Sequence, residues 1–328
     1  MTALRLTIGV PVHNEEAVMP ELLARTRAVL DAVPGGPHEL IFVDDGSFDR
    51  TLALLEAAAR EDPRIVVVSL SRNFGHQAAL SAALDEAQGD AVVLMDGDLQ
   101  DSPESIPAMF EKFREGFDVV YAQRVKRKEP WWLRAAYFGF YRVAASLSEL
   151  HLPLDAGDFG LMSRRVVDEV RRLPEHHRYL RGLRSWVGFR QVAIPIERAA
   201  RAAGEPKYNA WKLLKLASDG IFAFSVVPLR AAALLGLLAI GASVAYALYA
   251  VWAKFFLDRS PQGFTALTIL ITFLGGFILL FLGGIGEYVG RIYDESKGRP
   301  IYIRARVIRG KSASEAASPS LASVGQAR

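Results

Sequence analysis

The 328-residue chain contains no cysteine, which excludes disulfides and thiolate metal sites. No Gly-x-Gly-x-x-Gly follows its first strand-like run, and no Gly-x-x-x-x-Gly-Lys occurs anywhere. Dinucleotide-binding and P-loop domains therefore lose their main support. Residues 1–12 carry no charged stretch leading into a long apolar core, so no signal peptide is expected and the first 225 residues are expected to stay in the cytoplasm. The net charge of +3 is too small to argue for a nucleic-acid partner.

What is present is an unusual amount of apolar sequence, 51% beside 23% charged residues. It is concentrated in two stretches free of charged side chains, 231–253 and 264–286. Each is long enough to cross a hydrocarbon core of roughly 30 Å at about 1.5 Å per residue. A pair of buried core helices is the alternative, and such lengths are beyond what a buried helix usually needs. Trp252 and Tyr288 lie near the outer limits of the runs, as interfacial aromatics do. The loop between them holds two basic residues, Lys254 and Arg259. After the second run come Arg291, Lys297, Arg299, Arg304, Arg306, Arg309 and Lys311. The positive-inside bias then puts both termini on the cytoplasmic side of the inner (plasma) membrane, with the basic cluster facing anionic headgroups.

The first 125 residues alternate short apolar runs with amphipathic stretches. Runs at 6–12, 40–43, 65–70, 91–95 and 119–122 read as strands, and 15–33, 50–61, 75–88 and 103–115 carry apolar residues at helical spacing. This alternation predicts an α/β fold with a mostly parallel, Rossmann-like sheet. Ligands of such sheets bind beyond the carboxyl ends of the strands. The residues there are Pro11-Val12-His13-Asn14-Glu15, Asp44-Asp45-Gly46-Ser47, Ser71-Arg72-Asn73-Phe74-Gly75, Asp96-Gly97-Asp98 and Gln123-Arg124. Further on, 129–150 and 209–230 mix aromatic and basic residues in the manner of helices lying on a membrane surface.

Asp96 and Asp98 offer two hard oxygen ligands of the kind that hold Mg²⁺ or Mn²⁺ together with substrate phosphates and water. An EF-hand loop is excluded, because the position that requires Gly is Asp101 and the one that requires Glu is Pro107. Asp101 and Glu104 read as caps for a helix starting near Pro103. A second acidic pair, Asp44-Asp45, ends a neighbouring strand, and two acidic strand ends on one crevice call for a cation or a donor-rich ligand between them.

Together, Pro11-Val12-His13-Asn14-Glu15-Glu16, Val43-Asp44-Asp45-Gly46-Ser47, Leu70-Ser71-Arg72-Asn73-Phe74-Gly75 and Met95-Asp96-Gly97-Asp98-Leu99-Gln100-Asp101 resemble the signature blocks of family 2 glycosyltransferases with a GT-A fold. The resemblance runs on through Asp155-Ala156-Gly157-Asp158-Phe159, Arg178-Tyr179-Leu180-Arg181-Gly182 and the two apolar runs. It is nearest to the membrane-bound polyprenyl-phosphate glycosyltransferases, a group that includes bactoprenol glucosyltransferases and dolichol-phosphate mannose synthases.

The resemblance implies a nucleotide diphosphate sugar donor, a polyprenyl phosphate acceptor and a homo-oligomer as one mode of assembly. Pro11, Asn14, Glu15 and Asp45 would line the nucleotide pocket, Asp96 and Asp98 would hold the metal on the donor diphosphate, and Asp158 would face the reacting sugar. Arg124, Arg201 and Lys207 would meet donor or acceptor phosphates. The implied transfer is inverting, with uridine diphosphate glucose the family-weighted donor. Two departures are visible. Pro206 stands where the Gly-x-Ser-Lys-Tyr block has a hydroxyl residue, and Arg181 to Trp186 is one residue too long for the Gln-x-x-Arg-Trp block of processive synthases. A single transfer is expected. A nucleotidyltransferase would bring a Gly-rich loop after the first strand, and a non-catalytic lipid-binding scaffold would have spoiled metal carboxylates; neither condition is met.

The expected organisation is a catalytic domain over 1–208, an amphipathic helix over 209–230, membrane helices over 231–253 and 264–288, a basic cytoplasmic segment over 289–311 and a disordered tail over 312–328.

Overall fold

A computed structural model of the chain describes residues 4–124, 156–176, 178–196 and 263–310, with isolated positions between 235 and 256. The chain divides into two compact units: Met1–Ala135 with Leu152–Lys207 and Pro300–Arg328, and Ala136–His151 with Tyr208–Arg299.

The first unit is built on an eight-stranded sheet. Strands β1 (Leu6–Val12), β2 (Glu39–Asp44), β3 (Ile65–Leu70) and β4 (Ala91–Leu94) are buried along their whole length. That is why they read as unbroken apolar runs rather than as alternating ones. With β5 (Val119–Arg124), β6 (Ala156–Ser163), β7 (Gln191–Ile196) and β8 (Arg304–Arg309), the order across the sheet is β7-β5-β6-β4-β1-β2-β3-β8. β1 pairs in parallel with β2 and β4, and β2 with β3, whereas β6 runs antiparallel to both β4 and β5.

Helices α1 (Met19–Ala32), α2 (Thr51–Glu61), α3 (His76–Glu86) and α4 (Ile106–Arg114) follow the strands, and α5 (Arg164–Arg172) and α6 (Leu180–Trp186) complete the unit. Where the helices begin later than the apolar spacing suggests, proline or glycine is the reason. Pro20 sits in the first turn of α1, where its missing N–H breaks no helical bond. Gly75, at φ 100°, is outside the helical region and caps α3. Pro103 opens a single 3₁₀ turn ahead of α4. The N-cap positions are Ser102 and Ser105, neither capping through its side chain, and Glu104 stands in the first turn as expected. Glu104 pairs with Arg25 of α1 at 2.7 Å, which holds its carboxyl down at about 2.

β8 takes up three arginines of the C-terminal basic cluster. It runs antiparallel along β3, from Val66 opposite Arg309 to Leu70 opposite Arg304. Three of its arginines bond carboxylates of the same unit, Arg304 and Arg309 on Glu86 and Arg306 on Glu56.

In the second unit, α7 (Phe264–Ser296) is a single helix of 33 residues. Its stretch Phe273–Ser296 has mean hydropathy 1.6 and, among the described residues, is the one helix long and apolar enough to cross a membrane. Leu267, Ile271, Phe273, Leu279 and Leu282 are all exposed on it, as lipid-facing side chains would be. The helix continues past residue 288, where Arg291 pairs with Glu287 at 2.9 Å. The other expected span, 231–253, is described only at isolated positions, and the stretches 129–150, 209–230 and 312–328 lie outside the described residues.

Candidate active site

Three loops meet at the carboxyl ends of β1, β2 and β3, laced by named bonds. Asn14 takes a left-handed backbone, φ 56°, which asparagine tolerates better than most residues. Its N–H donates to Ser47 Oγ at 3.0 Å, and its Oδ1 accepts from Phe48 N–H at 2.9 Å. Asp44 and Asp45 are both buried. Asp44 Oδ1 accepts from Ser47 N–H at 3.2 Å. The Asp45 carboxylate accepts from Phe74 N–H at 2.7 Å and from Gly75 N–H at 2.9 Å. Burial pushes the Asp45 carboxyl above its usual range against the pull of these two donors. Asp45 therefore braces the third loop, whichever ligand it also meets.

The Nδ1 of His13 lies 2.9 Å from the Asp45 carbonyl oxygen and Nε2 lies 3.0 Å from Asn14 Nδ2. A carbonyl only accepts and an amide nitrogen only donates, so Nδ1 donates to the Asp45 carbonyl and Nε2 accepts from Asn14. Pro11 is buried at the end of β1, opposite Val43, and Glu15 begins the turn into α1, its N–H bonded to Thr51 Oγ1 at 2.9 Å.

Gly46 has φ 69°, and a Cβ there would sit 2.6 Å from the carbonyl carbon of Arg72. Gly46→Ala should therefore destabilise the domain by about 2 kcal/mol, a typical cost of left-handed strain with a clash. Urea unfolding checks this, and an unchanged midpoint would contradict the close approach of the two loops.

The Asp96-Gly97-Asp98 turn is pressed onto β1. A Cβ on Gly97 would meet Val12 Cγ1 at 2.9 Å and the Pro11 oxygen at 3.0 Å. Asp98 Oδ1 accepts from Gln100 N–H at 3.1 Å, which fixes the turn locally. Opposite it stands Asp158 on β6. The β4–β6 ladder ends with Leu94 opposite Gly160, and beyond it His76 Nε2 lies within 4 Å of both Asp96 and Asp158. The antiparallel strand thus delivers a third carboxylate to the crevice.

Asp158 has a side chain only 9% exposed, and cations and donors surround it. Arg181 Nε and Nη2 reach its two oxygens at 3.3 Å, Gln77 Nε2 donates at 3.3 Å, and His76 Nε2 is 3.7 Å away. Burial alone would raise this carboxyl. The nearby His76 ring and the charges of Arg181 and Arg184 outweigh it and hold Asp158 well below the usual carboxylate range.

His76 also reaches Asp96 Oδ1 at 3.3 Å. Burial lowers its pKa, but Asp158 and Asp96 outweigh that and leave it raised, toward the cationic form. Arg184, almost fully buried, donates to the Gly157 oxygen at 3.1 Å and packs beside Tyr121. Burial pushes its guanidinium down to about 10. Gly160 makes the room, since a Cβ there would stand 2.8 Å from Arg184 Nη1.

Among the described residues no group of three His, Asp or Glu side chains is placed to enclose a metal ion. The donor set at the turn is two carboxylates, Asp96 and Asp98, pinned by Gly97. Mg²⁺ takes that number when substrate phosphates and water complete its octahedron, so the residues fit the ion.

Of the residues singled out in the sequence, the sheet brings together Pro11, Asn14, Glu15 and Asp45 at the ends of β1 and β2, and Asp96, Asp98 and Asp158 around β4 and β6. Arg124 ends β5, opposite Ile196 of β7. Arg201 and Lys207 lie outside the described residues. Sequence reading missed His76, Gln77, Arg181 and Arg184. The signal was available for the first two, which follow Gly75 directly and so open the helix beyond β3. Arg181 and Arg184 lie in or just after the Arg178–Gly182 block.

The sequence profile described as Glycosyl transferase family 2 matches residues 7–171. A bactoprenol glucosyl transferase of Shigella phage SfV is 39% identical over 92% of this chain and 98% of its own length. An uncharacterised glycosyltransferase of Bacillus subtilis is 46% identical over 92% of this chain and 93% of that protein. A looser structural likeness is to glucosyl-3-phosphoglycerate synthase from Mycobacterium tuberculosis, in complex with Mn²⁺, uridine diphosphate glucose and phosphoglyceric acid. It has TM-score 0.46 and 20% identity over 67% of this chain and 78% of that one.

Proposed function

Because the chain belongs to glycosyl transferase family 2, we propose that it moves one sugar, glucose from uridine diphosphate glucose in the first instance, onto a polyprenyl phosphate at the cytoplasmic face of a membrane. The observation that carries this reading is the approach of Asp96, through His76, to an Asp158 that is held by Arg181 and Gln77. The acceptor is supported by relatives that are named for bactoprenol and match over nearly their whole length.

The leaving nucleoside diphosphate gains charge as it departs. Asp96 and Asp98 would hold Mg²⁺ or Mn²⁺, which when bound supplies the charge that stabilises this group. The attacking oxygen belongs to a phosphate monoester whose second pKa is about 6, so it is already largely dianionic at neutral pH. No strong base is needed. Asp158 is unsuited to be one, because its cationic neighbours hold it ionised and hold its basicity down. It acts by orientation, accepting hydrogen bonds from sugar hydroxyls with a carboxylate that cannot rotate. Asn14, Glu15, Pro11 and Asp45 frame the nucleotide end. Arg124, with Arg201 and Lys207, serves the phosphates. One in-line displacement at the anomeric carbon inverts its configuration.

The test incubates the purified protein in detergent with polyprenyl phosphate and a panel of radiolabelled nucleotide sugars. Organic-phase label should appear with one donor, fall at least about a hundredfold with EDTA, and return with Mn²⁺ or Mg²⁺. Label that persists at full rate in EDTA would remove the metal from the account, and no label with any donor would sink the proposed transfer.

A further inference from the structure

The last turn of α3 carries two carboxylates, Asp85 and Glu86. That is the wrong sign for the negative end of a helix. Both are answered by the segment that follows α7 in sequence. Tyr302 Oη donates to Asp85 Oδ2 at 2.6 Å, and Arg304 and Arg309 both bond Glu86, the latter at 2.8 Å. Glu86 is 11% exposed, so its charge depends on these partners more than a surface carboxylate would. Arg171 of α5 also lies 3.4 Å from Asp85.

The same segment also holds the start of the loop that leads into α3. The Ile303 carbonyl accepts from Ser71 N–H at 2.9 Å. Ser71 opens the loop whose Phe74 and Gly75 N–H groups hold Asp45 and whose Gly75 leads into His76 and Gln77. Those two side chains reach Asp96 and Asp158.

We propose that residues 302–309 form a strap that positions α3 for catalysis. Tyr302, Arg304 and Arg309 are positioning residues that act through His76 and Gln77, and these arginines serve the catalytic unit rather than lipid headgroups. Only the activity arm of the test rests on the glycosyltransferase reading above.

The experiment uses the full-length protein in nanodiscs, as Tyr302→Phe and as the double variant Arg304→Gln with Arg309→Gln. Hydrogen exchange at the amides of Ser71, Phe74 and Gly75 should quicken about tenfold, a change the size of one lost hydrogen bond, while amides of β1 and β4 stay as in the wild type. The kcat/KM for uridine diphosphate glucose should fall about tenfold. Arg304→Lys with Arg309→Lys should recover most of it, and the ratio of activities in anionic and zwitterionic nanodiscs should not move.

Unchanged exchange across 71–75 overturns the strap. A loss of activity seen only in anionic nanodiscs overturns it too, and returns the arginines to the headgroups. If the wild type transfers no sugar, the reading of the crevice fails while the exchange measurement still decides the strap.

Discussion

Asp98→Ala should lower sugar transfer by about a thousandfold or more while the catalytic unit stays folded. The size follows from the role: a metal held on a departing diphosphate supplies several kcal/mol at the transition state, and each 1.36 kcal/mol is tenfold in rate. Asp98 accepts from Gln100 N–H, a turn bond worth about 1 kcal/mol, and the turn stays pinned by Gly97 against Pro11 and Val12. Asp96 also faces His76, so its removal would disturb that contact along with the metal. Steady-state transfer together with urea unfolding separates the cases. Wild-type stability with transfer within tenfold of wild type would take Asp98 out of the metal site.

Asp158→Asn should lower kcat by about a hundredfold, the scale of a misplaced reacting group, and leave donor affinity within about threefold. The amide keeps the shape and one acceptor oxygen. It removes the charge that Arg181 and His76 are arranged around, so the residue loses its fixed orientation. Calorimetric titration with uridine diphosphate glucose beside single-turnover transfer distinguishes the roles. If donor affinity collapses together with the rate, Asp158 binds the donor rather than orienting the reacting groups.

The parallel half of the sheet was legible because β1 to β4 are buried on both faces, and each reads as an apolar run ending in a polar turn. Asp96 and Asp98 were legible for the same reason, since they stand at the end of such a run. β6 was not, because Gly157, Asp158 and Gly160 interrupt its apolar residues. Gly160 is there to admit Arg184, a requirement set by a residue on another element. β8 was hidden by its arginines. Their acidic partners, Glu56 and Glu86, lie more than two hundred residues earlier in the chain, so next to an apolar run the cluster read as lipid-facing. The His76–Asp158–Arg181 grouping was invisible for a like reason. α3, β6 and α6 each contribute part of it, and only the antiparallel placement of β6 beside β4 brings the parts together.

The most direct measurement of the central claim is the nuclear magnetic resonance spectrum of the lipid product formed from uridine diphosphate α-glucose and polyprenyl phosphate. One displacement in this crevice predicts a single glucosyl residue per lipid phosphate, in the β configuration. An α-linked product would mean transfer with retention rather than one in-line displacement and would contradict the account.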